Sequence, residues 1–264
     1  MAVYDVCAFN GETDLLDLRL HILDPVVDWF FVVEFNETFS GKKKKLRFPP
    51  DLRRFTKFFK KLTYFAIPES IYSQYYSLAD TSPNVPRDGP AHWRREFAQK
   101  ESLKWTLACL QDNDTVFIGD VDEIVDPRHY REPFQGITKF KLRVYTYWLN
   151  NRSSEQFWGP IRASWGDIKD ECLNHVRNSA PEKNTQEDQG WHFTSLGGHE
   201  KVKQKLLDSY TSESYASDTV ISNLESNIHR NRDFLGRDFS YRVEESNWPE
   251  YLTKNKSKYA HLCL

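Results

Sequence analysis

Asp120, Asp122 and Glu123 fall within four residues of one another in the stretch DTVFIGDVDEIVDP, residues 114–127. Alternate residues of an extended segment point the same way, so Asp120 and Asp122 can share one cation. Oxygen-only ligation suits Mg²⁺ or Mn²⁺, and such ions usually bridge the phosphates of a substrate. The plainer alternative is a set of solvated turn acids, and a D-x-D alone does not choose between the two. Its setting is more informative. Val116, Phe117 and Ile118 read as a buried strand running straight into the acids, and in open α/β sheets ligands sit beyond the carboxyl ends of strands. Gly119 would let a backbone approach a ligand closely.

The elements that must hold this cluster are legible on both sides of it. Residues 3–9 (VYDVCAF) read as a strand, broken by Asn10 and Gly11. Thr13 is the expected N-cap of a helix carrying Leu15, Leu18 and Ile22 on one face, stopped at Asp24-Pro25. WFFVVEF (29–35) is near-continuously apolar, as in a strand covered on both faces. Strand, helix, strand makes a βαβ unit and hence a parallel sheet. The basic run Lys42–Lys45 reads as a solvated loop rather than a phosphate clamp, and LTYFAI (62–67) as a third strand. Residues 68–92, with four prolines, are expected to be a long loop, and residues 93–110 a helix leading to the strand before the acids. Further on, 139–149 and 161–165 read as strands, 167–177 as helical and 190–198 as a strand with a Gly turn. Residues 199–209 and 217–234 read as helices. The expectation is one α/β domain whose second half is more antiparallel.

Composition narrows the classes. A chain of 264 residues with 39% hydrophobic and 15% aromatic residues can bury a real core. A net charge of −2 offers no whole-chain argument for nucleic-acid or membrane binding. No apolar run approaches the roughly 18–20 residues needed to span a bilayer, and MAVYDVCAFNGE lacks the features of a signal peptide. Cys7, Cys109, Cys172 and Cys263 are scattered, which argues against a structural zinc site or a disulfide framework and sets free thiols as the expectation. The sequons at Asn36, Asn113, Asn151 and Asn255 are matches of pattern only.

Two long blocks, YDVCAFNGETDLLDLRLHILDPVVDWFFVVEFNETFSGK (4–42) and WRREFAQKESLKWTLACLQDNDTVFIGDVDEI (93–124), resemble glycosyltransferase family 17. GWHF (190–193) and the closing WPEYLTKNKSKYAHL (248–262) are similar to later motifs of that family. The resemblance implies a GT-A-like fold: a Rossmann-type nucleotide-sugar-binding sheet flanked by helices over residues 1–125, and a mixed, more antiparallel acceptor-binding half over 126–264. It implies a divalent cation (Mn²⁺ or Mg²⁺), a nucleotide-sugar donor, most simply UDP-linked, and a glycan or glycoprotein acceptor. Transfer inverts to a β-linkage, with N-acetylglucosamine or a related sugar suggested. The membrane anchor of animal members is missing from this sequence, so the expectation is a cytoplasmic enzyme, bacterial or viral. The loop with SPNVPRDGP has no match in the family pattern.

Roles follow from that resemblance. Asp122 is the first choice for metal ligation, with Asp120 nearer the ribose or a metal-bound water, and His192 the late histidine that completes the site. The alternative for His192, between Trp191 and Phe193, is a hydrogen-bonded core residue. Glu123 either positions the sugar or is structural. Asp188 or Glu187, just before GWHF, is the candidate catalytic base, against a plain surface loop. Phe9, Asn10 and Glu12 after the first strand, and Glu34, Asn36 and Thr38 after the second, face the same crevice and are candidates for reading base and ribose. Arg94, Arg95 and Lys100 are candidates for the diphosphate, with carboxylate partners within the fold the alternative. Of Trp148, Trp158, Trp165 and Trp191, one or two are expected on the acceptor side and the rest in the core. A metal-dependent phosphohydrolase or nucleotidyltransferase would want more acids or histidines to hold two metals. A carbohydrate-binding module without catalysis has no use for acids after a buried strand.

Overall fold

A computed structural model describes residues 1–180 and 188–264. β1 (Val3–Phe9) leads into α1 (Thr13–Leu23), and β2 (Trp29–Phe35) returns beside β1 in parallel. Residues Pro49–Phe58 form a 3₁₀ helix, and β3 (Leu62–Ile67) then adds to the outer side of β2, also in parallel. All three strands have the bounds their apolar runs predict. The helix start differs by one residue. Thr13 is the first helical residue, and Glu12 takes the cap position without a side-chain cap hydrogen bond.

Residues 68–92 are not one long loop. They contain α2 (Glu69–Tyr72), a 3₁₀ turn over Ser73–Tyr75 and α3 (Tyr76–Thr81). The prolines misled because they flank helices rather than interrupt them: Pro68 and Pro90 each stand immediately before a helix. Tyr72 anchors this segment, fully buried with its hydroxyl donating to Glu37. The helix expected over 93–110 is two, α4 (Ala91–Glu101) and α5 (Leu103–Leu107). They part at Ser102, whose hydroxyl donates to the Gln99 carbonyl at 2.7 Å and competes with the helical pattern.

β4 (Thr115–Asp120) lies parallel to β1, with Ala8 opposite Asp120. After a two-residue turn, β5 (Glu123–Val125) follows, which the sequence did not announce. β6 (Thr138–Thr146) is shorter than expected. The strand expected at 161–165 is the tail of the 14-residue β7 (Asn151–Ser164). Then come α6 (Trp165–Ile168), α7 (Leu173–Ser179), β8 (Gly190–Thr194), α8 (Gly198–Ser209), α9 (Asp218–His229), β9 (Tyr241–Val243) and α10 (Glu250–Lys254).

One sheet carries these strands in the order β3-β2-β1-β4-β7-β6-β8-β5, with β9 on β7. β3, β2, β1 and β4 are parallel, whereas β7 joins β4 and β6 antiparallel. β6 pairs with β8 in parallel, and β8 with β5 antiparallel. The sheet is therefore a mixed α/β arrangement, parallel in its first half and mixed in its second. Helices cover both faces. Leu16, Leu20 and Leu23 of α1 pack on one face with Phe48, Phe55 and Phe58. Ala98, Leu103 and Leu107 pack on the other with Ile168, Leu173 and Val176. β4 is flanked on both sides and buried on both faces, which is why its run is uniformly apolar. It is the strand at which parallel pairing, with β1, gives way to antiparallel pairing, with β7. All four cysteines are free, and among the described residues no helix is long and apolar enough to cross a membrane.

Candidate active site

The acids at the end of β4 are held from beneath. Arg19 of α1 is fully buried and donates to both carboxylate oxygens of Asp5 on β1, at 2.7 and 2.8 Å. Its remaining nitrogen donates to the Asp120 carbonyl at 3.0 Å and the Glu123 carbonyl at 2.6 Å. Tyr130 adds a hydrogen bond to Asp5 at 2.9 Å. A bidentate, fully desolvated guanidinium thus fixes both ends of the acidic turn. A signal for this existed: Arg19 lies four residues after Leu15, on the apolar face of its helix.

Glu123 is answered from the opposite side. Its carboxylate accepts from the Asp120 amide at 2.9 Å and from Arg177 of α7 at 2.9 and 3.0 Å. It occupies space left by two glycines. A Cβ on Gly119 would lie 2.8 Å from one carboxylate oxygen, and one on Gly159 would lie 2.9 Å from the other. The room at Gly119, expected for a ligand's approach, is therefore filled by the Glu123 carboxylate.

Asp120 and Asp122 face a cleft of about 240 Å³ beyond the carboxyl ends of β1 and β4. Lys100 stands 3.4 Å and Arg177 3.8 Å from Asp120, and Lys205 of α8 stands 2.8 Å from Asp122. Burial pushes both aspartic acids up, but these cations outweigh it and hold both carboxyls below the usual range. Asp122 is the more strongly lowered, with His192 adding to Lys205. Burial pushes Glu123 up, and Arg177 only partly offsets it. The ammonium groups of Lys100 and Lys205 are raised: burial opposes this, but the facing acids exceed it.

A Mg²⁺ or Mn²⁺ ion is usually held by one or two carboxylates, with substrate phosphates and water completing the set, and Asp120 and Asp122 are the oxygen donors that could serve. His192 Nε2 lies 3.6 Å from Asp122, but its Nδ1 is buried without a hydrogen-bond partner, whereas a metal-bound imidazole normally has that nitrogen oriented by an acceptor. Among the described residues, no three His, Cys, Asp or Glu side chains come together as a set that could hold an ion. Asp120, Asp122 and His192 are neighbours, then, without forming a ready three-ligand site, and lysine ammonium groups stand against both carboxylates.

Phe9, Asn10, Glu12, Thr38, Lys100 and His192 also line the cleft. Burial raises the Glu12 carboxyl despite the nearby Lys205. The other expected residues are placed elsewhere. Glu34 is wholly buried, accepting from Lys44, Tyr64 and the amides of Arg47 and Phe48, and does not line the cleft. Asn36 and Arg95 do not line it either; Arg95 donates to the Phe39 carbonyl. Arg94 turns outward, paired with Asp80 and stacked on Tyr76. Asp188 is held by Arg152 at 3.1 Å, with Arg143 and Lys141 nearby, away from the cleft lining. Glu187 lies outside the described residues. Trp165 and Trp191 are core, Trp148 packs under α8 and α9, and Trp158 lines a chamber beside Asp120. Arg177, Lys205 and Arg19, the residues that complete the turn, were not singled out by the sequence.

The profile of glycosyltransferase family 17 matches residues 1–196. The chain belongs to glycosyltransferase family 17. The turn at Asp120–Glu123 is thus part of a glycosyltransferase, an enzyme class whose members use a nucleotide-sugar donor and a glycan acceptor. The match takes in every strand up to β8 and stops short of α8, so Lys205 and the closing block 248–262 lie beyond it. No curated protein matches this family 17 chain. Among solved structures, mouse xyloside xylosyltransferase 1 in its apo form is similar at 7% identity. That likeness covers 67% of this chain and 71% of the other, with a TM-score of 0.36, too low to carry an argument.

Proposed function

We propose that this family 17 transferase moves a sugar from a uridine diphosphate donor to a glycan hydroxyl, inverting to a β-linkage. N-acetylglucosamine or a related sugar is the group transferred. The observation that carries the reading is the pairing of Asp120 and Asp122 with Lys100 and Lys205 inside a cleft at the end of the central strand. An inverting transfer is one in-line displacement, and its chief electrostatic demand is neutralisation of the departing diphosphate. Lys100 and Lys205 are cations already in place for that purpose. Phe9, Asn10, Glu12 and Thr38 would contact the nucleoside, in a donor-binding half formed by residues 1–125. Asp120 and Asp122 hold the two lysines in position, and Arg19 and Arg177 keep the turn from moving.

Dependence on Mn²⁺ or Mg²⁺ is what the family resemblance suggests, and an ion at Asp122 would have to displace the Lys205 ammonium. The deciding experiment incubates the protein with a panel of nucleotide sugars, in Mn²⁺ and separately in chelator, and measures released nucleoside diphosphate. Release from a uridine diphosphate sugar, lowered about 10²–10³-fold in Asp122→Asn, is the expected result. A correctly folded Asp122→Asn protein releasing diphosphate at the wild-type rate sinks the reading.

A further inference from the structure

A second chamber of about 390 Å³ shares Glu96, Lys100, Asp120, Glu123 and Phe157 with the donor cleft as lining. That size falls within the range of small-molecule sites, roughly 300–1,000 Å³. Its walls differ from those of the cleft. They carry the half-buried rings of Trp93 and Trp158 and the amides of Asn84, Asn174 and Asn178. Asn84 and Asn178 are exposed at its mouth, the Asn174 amide donates to the Phe97 carbonyl and to Glu101, and among the described residues Trp158 stacks on no other ring. Aromatic faces beside solvent-facing amides suit a pyranose, whose C–H face stacks while its hydroxyls both donate and accept. Of the chamber's cations, Arg177 is engaged by Glu123, and Lys100 faces Asp120 and is assigned above to the diphosphate. Lys139 is its other cation.

Glu96 of α4 borders both spaces. One carboxylate oxygen accepts from Lys100 at 2.7 Å, and the other accepts nothing among the described residues. Lys100 in turn stands 3.4 Å from Asp120, so Glu96 is one lysine away from the acidic turn.

We propose that this chamber binds the acceptor, a neutral glycan, and that Glu96 is the catalytic base. The inference rests on the transferase reading above. Glu96 takes the proton of the acceptor hydroxyl, and the hydroxyl oxygen's electron pair forms the new bond to the anomeric carbon. The bond from that carbon to the diphosphate oxygen breaks, and its electron pair leaves with the diphosphate. No other reactant is needed.

The test uses the full chain with two readouts. The first is quenching of tryptophan fluorescence by a panel of methyl and chitobiosyl glycosides, with no nucleotide present. Wild-type protein should be quenched saturably, and Trp158→Ala should weaken binding at least tenfold. No saturable quenching by any neutral glycoside, or tighter binding of an anionic glycan through Lys139, overturns the assignment of the chamber. This arm does not depend on the donor, so it is decided even if no uridine diphosphate sugar is turned over. The second readout is transfer kinetics with matched thermal melts. Trp158→Ala should raise the acceptor KM with donor KM unchanged. Glu96→Gln should lower kcat by about 10²–10⁴-fold with donor affinity retained. Wild-type kcat in folded Glu96→Gln overturns the role of Glu96 as base. An altered donor KM with acceptor KM unmoved in Trp158→Ala overturns the role of Trp158 in holding the acceptor.

Discussion

Asp188 and the acidic turn at Asp120–Glu123 are each met by several cations, and of these two the turn lines the cleft. Asp188 is held by Lys141, Arg143 and Arg152, all from the adjacent strands β6 and β7. Those contacts tie neighbouring strands together, and Asp188 does not line the cleft. Asp120, Asp122 and Glu123 are met by Lys100, Arg177 and Lys205, from three helices that converge on the end of β4. Here the ammonium groups border empty space, so an incoming diphosphate can share them. Ion pairing by itself therefore does not mark a site. What marks it is cation charge fixed at a cavity wall, where a low-dielectric surround strengthens its action on a developing charge.

The contrast can be broken by substitution, starting with the scaffold. Arg19→Met should destabilise the fold by about 3–5 kcal/mol, because it strands the buried Asp5 carboxylate. Adding Asp5→Asn should recover part of that loss. Urea unfolding of the single and double variants reads both, and an Arg19→Met protein as stable as wild type would show that the turn is not held from beneath. Asp122→Asn should lower turnover by about 10²–10³-fold, as loss of a preorganised charge at the reacting centre does. Its far-ultraviolet spectrum should be unchanged. Asp188→Asn should leave turnover unaltered and cost about 0–1 kcal/mol, the usual worth of a partly solvated pair. A large loss of kcat there would erase the distinction between the two groups.

The smallest effect concerns Glu12, whose carboxyl is raised above its ordinary 4.5, chiefly by burial. A raised folded value means that the protonated form is favoured in the fold. Its stabilisation is full below 4.5 and is lost as pH rises through the folded value. Glu12→Gln should therefore be more stable than wild type at neutral pH, with the gain vanishing in acid below 4.5. Denaturation at the two pH values checks the sign. Equal stability at neutral pH would mean that Glu12 is solvated and apart from Asp122.

Much of this fold could be read in advance where burial sets the pattern. VYDVCAF and WFFVVEF became strands with the expected bounds because nearly all their residues are buried, while LTYFAI, half-buried at the sheet edge, was legible from its β-forming residues. Segments governed by other contacts were harder. β5 has only three residues, Glu123–Val125, and exists through its pairing with β8. The helices inside 68–92 depend on Tyr72 reaching Glu37, a partner 35 positions away. Glu34 looked like a ligand contact because it ends a strand facing the crevice. Its carboxylate instead serves the chain between Lys44 and Phe48.

The sequence alone determined that Asp120 and Asp122 end a buried central strand, and its long blocks pointed to a sugar transferase. Periodicity encodes which face of an element is buried, a local property, and that suffices for strands and for acids at a strand's end. Which charges meet is a matter of distance through space. Asp122 finds Lys205 83 positions away, Glu123 finds Arg177 54 away, and Asp120 meets Arg19 at a separation of 101. Only the folded chain brings those side chains within reach. The tertiary structure thus decided that the acids are held by helices α1, α7 and α8, and that Glu96 borders the chamber beside them.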